Sequence, residues 1–266
     1  MNYSGIITEI QLGSLKVSRA PEITIRHDRY RPVSICYITL ADPTGSMYRT
    51  VSVDDAVSLL YGYRDGAKAT WSGTITYLQR GKDKLYLTCS DAGRDALKTY
   101  MTEYWMDESP AAIVRAALGK LGGIGTVQDM DITLPSFTAS NISIYDLIRK
   151  VEHTMQQGFD VDVSQYALFI DESGVWNWGE HGLDGEIPVI ASQNGLIAHN
   201  PDIDGYAGKK TVETWLVPGF THSRQFKLKD TYAGVDGSFM ADVVCHVFKQ
   251  RNVRTFINYG GGYGKF

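Results

Sequence analysis

Residues 217–259 decide the fold of this chain, and they read VPGFTHSRQFKLKDTYAGVDGSFMADVVCHVFKQRNVRTFINY. Phe226 and Leu228 alternate with Lys227 and Lys229. A period of two is typical of a β-strand with one buried face. The sequence therefore predicts half-buried strands near the end of the chain.

A longer alternation follows in the same stretch. One face is predicted to be apolar and buried, with Phe239, Ala241, Val243, Cys245 and Val247. Asp242 and His246 would then lie on the opposite face, which we expect to make subunit contacts. The polar run Lys249-Gln250-Arg251-Asn252 predicts a turn into a last antiparallel strand that ends at Tyr259.

Length and composition indicate a folded chain with room for two modest domains. It has 266 residues, of which 43% are hydrophobic, enough to fill the cores of such domains. The net charge of −4 argues against general nucleic-acid binding, because affinity for a duplex depends on clustered Lys and Arg.

Targeting signals are not evident. The start, Met1-Asn2-Tyr3-Ser4-Gly5, lacks the charged and apolar blocks of a signal peptide, and no apolar run approaches the ~18 residues of a membrane span. We expect synthesis in the cytoplasm and no membrane anchor. Cys36, Cys89 and Cys245 lie far apart in strand-like runs, so we interpret them as buried thiols.

Residues 1–92 are predicted to be all β. The strand candidates are rich in Ile, Val, Thr and Tyr and are separated by turn residues. They are Gly5–Val17, Glu22–Arg26, Ser34–Leu40, Tyr48–Val53, Ala67–Leu78 and Lys84–Cys89. Gly73 inside a strand indicates a bulge or a close backbone contact, since Gly otherwise weakens a strand. Short strands at this spacing predict a small β-barrel or β-sandwich.

Residues 93–180 change to an α+β pattern. Helical spacing of apolar residues runs from Arg94 to Met106 and again from Ser109 to Leu121, where Ser109-Pro110 supplies a helix start. A third helix begins with a capping box of Ser143 and Asp146 and ends near Gly158. A hairpin of residues 166–170 and 175–178 follows.

Residues 181–266 return to strands. Ile187–Ser192 and Thr211–Val217 are further strand candidates, and the turn-rich residues between them, 200–210, predict an exposed loop. The organisation is therefore mainly β with an α+β insert. Two β regions, residues 1–92 and 181–266, would flank a mixed domain of residues 93–180.

This order of elements resembles the baseplate hub proteins of tailed bacteriophages, a family similar to the upper part of VgrG-type spikes. The resemblance rests on a pattern of strands and glycines. It includes Leu60-Tyr61-Gly62-Tyr63, Trp71-Ser72-Gly73-Thr74-Ile75, residues 85–91, the helix Ile144–Thr154, and Val235-Asp236-Gly237-Ser238-Phe239 through to Thr255. It covers most of the chain.

The resemblance implies a structural virion protein rather than an enzyme. A homotrimer with two barrels in each chain would form a ring of pseudo-six-fold symmetry, joining a six-fold tail tube to a three-fold central spike. The tail tube protein and the spike protein would be its partners, together with tape measure and other baseplate proteins and passive contact with DNA in the lumen. Its location would be the virion tail, after assembly in the host cytoplasm.

A tail-associated peptidoglycan hydrolase is one alternative, because carboxylates and histidines could act as general acid and base. The candidates are adjacent pairs, namely Glu152-His153, Asp171-Glu172 and Glu180-His181. We expect Glu152 on a solvated helix face and the two acids of the second pair in an ordinary turn. His181 lacks the second histidine of a zinc hydrolase. The sequence therefore predicts no catalytic residue.

A carbohydrate-binding tail module is the other alternative, since aromatic rings can form stacking platforms. Trp71, Trp176, Trp178 and Trp215 are interpreted instead as core or interface residues. Asp202 and Asp204 do not complete a calcium loop. The glycines at 260–262 open no helix that could bind phosphate, and we predict neither a metal nor a cofactor.

Overall fold

The computed structural model describes residues 5–17, 22–171, 174–180, 187–200, 210–249 and 252–260. The strands of this part are β1 (Ile6–Leu12), β2 (Leu15–Val17), β3 (Glu22–Asp28), β4 (Ile35–Ala41), β5 (Ala56–Tyr63), β6 (Lys68–Arg80), β7 (Lys84–Ser90), β8 (Tyr100–Glu108), β9 (Ile124–Val127), β10 (Leu134–Ser143), β11 (Tyr166–Ile170), β12 (Trp176–Glu180), β13 (Val189–Ala191), β14 (Leu196–Asn200), β15 (Lys210–Trp215), β16 (Gln225–Asp230), β17 (Val235–Lys249) and β18 (Asn252–Tyr259). The helices are α1 (Ser46–Thr50), α2 (Arg94–Lys98), α3 (Pro110–Leu118) and α4 (Ile144–Phe159). The predicted class, mainly β with an α+β insert, is confirmed. No helix in these residues is long and apolar enough to cross a membrane.

The chain divides into two compact units. The first unit combines Met1–Asp28, Ser34–Asp91 and Leu183–Gly261, and the second contains Arg29–Val33 and Ala92–Gly182. Strands from before and after the insert therefore share one unit.

One continuous sheet joins those strands. Its order is β14-β15-β18-β17-β3-β4-β7-β6-β5-β1-β2, and β16 pairs with both β17 and β13. The long strand β17 makes this possible, because its first half pairs with β16 and its second half lies between β18 and β3. Val244 faces His27 across the β17–β3 pairing.

The first unit has two hydrophobic clusters. One is formed mainly by β1 and β3–β7, with Ile25, Leu59 and Ile75 at its centre. The other is formed mainly by β13 and β15–β18, and Phe226 and Leu228 are both fully buried there. The alternation that predicted β16 is therefore confirmed, and each such side chain contributes about 1.5–3 kcal/mol by leaving water.

The second unit packs its helices on two small sheets. In α4 the predicted stripe of Leu147, Ile148, Val151 and Met155 is fully buried. Ser143 Oγ accepts a hydrogen bond from the Asp146 amide at 3.1 Å and donates to the Asp146 carboxylate at 2.6 Å. The helix continues past Gly158 to Phe159.

Ser109 caps α3 in the same way, since its Oγ accepts from the Ala112 amide at 3.1 Å. The predicted hairpin forms from β11 and β12, and β9 pairs with β12 in parallel. Both predicted helix starts of this unit are therefore confirmed.

Several elements differ from prediction. The strand predicted over Tyr48–Val53 does not form, and residues 46–50 form α1 instead, because the Asp42 carboxylate accepts the amides of Met47 and Tyr48 at 3.2 and 2.9 Å. The helix predicted over 94–106 ends at Lys98, and β8 begins at Tyr100, where it pairs with β10. That partner lies far along the sequence, so local periodicity did not reveal it. The strands β5, β9, β10 and β14 were not predicted either.

Gly73 makes the close contact that its place in a strand indicated. A Cβ at this position would overlap the carbonyl oxygen of Ser90, and the β6–β7 pairing shifts register between Ile75 and Tyr77. A side chain here would push β6 away from its neighbour.

Candidate functional site

Four exposed aromatic rings lie on the outward side of the sheet of the first unit. Tyr37, Tyr77, Tyr86 and Trp215 are 47%, 56%, 42% and 40% exposed. Antiparallel sheets usually place small polar or charged side chains on their solvated face. We call these four residues, together with the row of outward-pointing side chains that joins their strands, the outer aromatic face.

The row follows from strand register. Residues directly opposite in antiparallel strands point to the same side. The row crosses seven strands, β6, β7, β4, β3, β17, β18 and β15, through Tyr77, Thr88, Tyr37, Thr24, Val247, Arg254 and Trp215. Tyr86 lies two residues along β7 from Thr88. The face therefore extends without a break across strands from both ends of the chain.

Two pairs of opposite charges lie on this face. Arg26 contacts Asp28 at 2.8 Å, and Arg254 contacts Glu213 at 3.4 Å. Such pairs leave little excess charge to attract a strongly acidic or basic partner. The face suits a neutral protein surface better than nucleic acid.

The predicted contact face of Asp242 and His246 is not exposed. Both residues are buried, whereas Cys245 and Val247 are half-buried on the outward side. The pairing of β17 with β18 shifts register between Ala241 and Val243, and the irregularity reverses which residues point inward. The alternation predicted from Phe239 onward is therefore wrong beyond Ala241.

His246 instead anchors a buried hydrogen-bond chain. Its Nε2 lies 2.8 Å from the Phe220 carbonyl, and its Nδ1 lies 3.0 Å from Thr255 Oγ1, which also accepts from the Val217 amide. Because a carbonyl can only accept, Nε2 carries the proton and Nδ1 accepts from Thr255. Burial lowers the pKa of His246 to about 4.

His27 lies beside it, with the two rings 5.9 Å apart. Its Nδ1 contacts Ser34 Oγ at 2.8 Å, whereas Nε2 has no hydrogen-bond partner among the described residues. Burial and then the neighbouring His246 hold the pKa of His27 well below its ordinary value. Both rings are therefore neutral near pH 7.

A second histidine network lies on strands β14, β16 and β18. His199 contacts Asp230 at 2.8 Å through Nδ1 and the Tyr259 hydroxyl at 2.7 Å through Nε2. The His199 hydrogen bond holds the pKa of the Asp230 carboxyl below its ordinary value. The Tyr259 ring packs against Phe226 and Phe239. We therefore interpret this hydrogen-bonded chain as part of the core that stabilises the fold.

Among the described candidate residues, the structure brings no acid and base together as a pair. Glu152 is buried rather than solvated; its Oε1 accepts from Trp178 Nε1 at 2.9 Å and its Oε2 from Arg149. Asp171 accepts from the Val175 amide and from Asn177 in the hairpin turn. His153 and Glu180 are exposed, and Glu172 and His181 lie outside the described residues.

Three of the four candidate tryptophans are core residues. Trp71, Trp176 and Trp178 are buried, and Trp215 is exposed at the end of the outer aromatic face. In the described part of the chain no three His, Cys, Asp or Glu residues form a group that could hold a metal ion. Asp202, Asp204 and residues 261–262 lie outside that part.

The second unit carries an exposed aromatic and sulfur-containing strand. Tyr100, Tyr104 and Met106 of β8 are 58%, 56% and 64% exposed. Within the described residues β8 pairs only with β10, so the ribbon has open edges. An open edge can accept another strand.

The sequence did not single out the outer aromatic face. Its signal is a tyrosine at the outward position of a strand, as at Tyr37 between buried Cys36 and Ile38. Joining such positions into a row needs the register of seven strands. Local sequence does not contain that register.

No protein-family model and no curated protein sequence matches this chain. Solved structures do match along nearly its whole length. A tail protein from Neisseria meningitidis MC58 has a TM-score of 0.71 with 9% identity, and the match covers 97% of this chain and 96% of that chain. The prophage MuSo2 43 kDa tail protein from Shewanella oneidensis has a TM-score of 0.69 with 9% identity, over 97% of both chains.

A third match links the same fold to secretion. It is an E. coli component of the type VI secretion system, described as structurally similar to the T4 bacteriophage tail proteins gp27 and gp5. Its TM-score is 0.66 with 9% identity, over 96% of this chain and 77% of that chain. The chain therefore has the fold of phage tail and VgrG-related hub proteins, and the resemblance found in the sequence is confirmed at the level of the fold.

Proposed function

We propose that this chain is a structural hub protein of a phage-type tail baseplate. It forms a homotrimeric ring of pseudo-six-fold symmetry that connects the tail tube to the central spike. The observation that carries the proposal is the likeness to two tail proteins over nearly the full length of each chain. Its location is the virion tail, after assembly in the host cytoplasm.

The pseudo-six-fold ring requires two similar modules in each chain. The two hydrophobic clusters of the first unit support this requirement, since one collects mainly residues before position 92 and the other residues after 181. We assign the first barrel to residues 1–92, the insert to 93–180 and the second barrel to 181–266. Six modules from three chains then match a six-fold tube.

The outer aromatic face supplies one of the two surfaces that each copy uses in a closed ring. Six inter-strand spacings of about 4.8 Å give a width of about 29 Å. With the rows on either side the depth is about 20 Å, so the area is about 600 Å², on the order of the ~800 Å² per partner of a standard interface. Paired charges and exposed rings suit an equally neutral second copy.

Sedimentation velocity and negative-stain imaging of the purified chain test the ring. We expect a trimer at micromolar concentration and a three-fold ring in projection. Monomers alone, persisting after the tube or spike protein is added, would sink the proposal.

A double variant tests the surface. Tyr37→Ser with Tyr77→Ser removes two rings from the outer aromatic face and is expected to weaken self-association at least 10-fold, because buried aromatic residues contribute much of the binding energy of an interface. Tyr232→Ser is the matched control, since Tyr232 is 94% exposed in a turn outside the face. Equal association of the two variants would place the interface elsewhere.

The proposal assigns no catalytic activity. Its partners are a tail tube protein, a spike protein, tape measure and other baseplate proteins, with passive contact to DNA in the lumen. A peptidoglycan zymogram tests the hydrolase alternative. Clearing that disappears in Glu152→Gln or Glu180→Gln would contradict a purely structural role.

A further inference from the structure

Two of the three cysteines lie directly opposite each other in the core of the first unit. Cys36 of β4 and Cys89 of β7 are Cα partners in antiparallel pairing, and both are fully buried. They belong to an inward row that continues to Ile25 on one side and Ile75 on the other. Local sequence does not reveal this pairing, because the two residues are far apart along the chain.

The spacing of such partners lies within the range of a disulfide. Directly opposite residues in antiparallel strands have Cα atoms about 4.5–5.5 Å apart, and disulfides span about 4.4–6.8 Å. Both side chains point to the same side of the sheet, as a bond requires. Both thiols are free in the structure.

We propose that Cys36 and Cys89 form an intrachain disulfide when the chain meets a disulfide oxidant, so that β4 and β7 become covalently linked. In the first step one thiolate attacks oxidised glutathione, forming a mixed disulfide and releasing one glutathione thiol. The second thiolate then displaces the other glutathione. The two cysteines are oxidised, one glutathione disulfide is reduced to two thiols, and two protons leave the protein thiols.

The native fold protects the pair until the strands separate. Burial raises the pKa of Cys36 well above its ordinary value and that of Cys89 to about 12, so almost no thiolate is present at neutral pH. The thiolate is the attacking species. Oxidation therefore occurs during folding or transient opening of β4 from β7.

The third thiol provides an internal control. Cys245 lies on the outward side of β17 and is only half-buried. It has Arg26 as its cross-strand neighbour rather than another cysteine. It should remain free, or carry a single glutathione, under the same conditions.

Refolding of the full chain from urea with oxidised glutathione tests the proposal. We expect a loss of two hydrogen masses, a fall from three titratable thiols to one once mixed disulfides are resolved, and a Cys36–Cys89 cross-link in peptide maps. The oxidised chain should also unfold at higher urea than the reduced chain, because the bond closes a long loop.

Variants separate this pair from other pairings. Cys245→Ser should keep the cross-link, and Cys36→Ser or Cys89→Ser should lose it. The wild-type peptide map decides the matter even where a core variant fails to fold. A cross-link through Cys245, or refolded protein with Cys36 and Cys89 both free, would overturn the proposal, and neither result depends on the role in a tail.

Discussion

In the first unit His246 is surrounded by protein on every side, and in the second unit Glu152 is almost equally buried. The two sites differ in whether a partner of opposite charge lies beside the buried group. His246 has only neutral partners, Phe220 and Thr255. Glu152 has the Arg149 guanidinium as well as the Trp178 indole. Burial excludes charge unless a partner of opposite sign compensates it.

Because His246 has no compensating charge among the described residues, acid destabilises the first unit. His246 has a pKa of about 4 in the folded chain and about 6.5 when unfolded, so the unfolded chain binds protons more readily. As pH falls from about 6.5 towards 4, the first unit therefore loses stability.

Glu152 acts in the opposite direction. Burial raises its pKa in the folded chain, although Arg149 and Trp178 oppose the shift. A raised folded pKa means that the cost of burying the charge is absent below the unfolded pKa of about 4.3 and appears as pH rises. Mild acid therefore relieves the second unit while it weakens the first.

The largest expected effect comes from removing the buried acid. Glu152→Ala leaves the fully buried Trp178 Nε1 without its acceptor and opens space beside it. We expect a loss of about 3 kcal/mol in the free energy of unfolding, measured by urea denaturation with hydrogen exchange assigned to the second unit. Glu152→Gln keeps an acceptor oxygen and is the control.

That control also examines the sign of the pH effect. Gln cannot ionise, so the part of the pH dependence due to Glu152 should vanish in Glu152→Gln. If Glu152→Ala leaves exchange in the second unit unchanged, the carboxylate does not hold Trp178 in solution.

Acidification should give an effect of similar size, now in the first unit. Between pH 6.5 and pH 4 the shift of His246 alone corresponds to a loss of about 3 kcal/mol. The protection of the β3, β17 and β18 amides, measured relative to the slower intrinsic exchange at each lower pH, should fall over this range. His246→Gln, which can keep one donor and one acceptor, should flatten the response.

His27 adds to the same loss, since its pKa is also well below the ordinary value. A first unit whose protection is constant from pH 7 to pH 4 would contradict the burial of both rings. Protection of β11 and β12 should not fall over the same range, because these strands belong to the other unit.

Local signals in the sequence predicted much of this fold. The helix starts at Ser109 and Ser143 depend on side chains within three residues, and the strand β16 depends on alternation within six residues. These features need no distant partner. They could therefore be predicted from the sequence without knowledge of the fold.

The features that were missed depend on contacts between distant residues. The reversal of β17 after Ala241, the change from helix to β8 at Tyr100 and the solvent exclusion of Glu152 all require a partner strand or core. The outer aromatic face and the Cys36–Cys89 pair require the register of several strands. Periodicity predicts that a strand has two faces, but the neighbours decide which of them is buried.

The smallest expected effect comes from removing a helix cap in the second unit, and it tests whether the two units unfold independently. Ser143→Ala removes the oxygen that accepts the Asp146 amide at the start of α4, and Ser109→Ala does the same for the Ala112 amide at α3. Each should cost about 1 kcal/mol. The loss should be larger at Ser143, because this side chain is buried and also donates to the Asp146 carboxylate, which it would leave with one partner fewer.

Hydrogen exchange should quicken in α3 and α4 while the β3–β17 amides keep their protection. Equal quickening in both units would mean that they unfold as one cooperative body, and the opposite pH responses of His246 and Glu152 would then merge into a single transition.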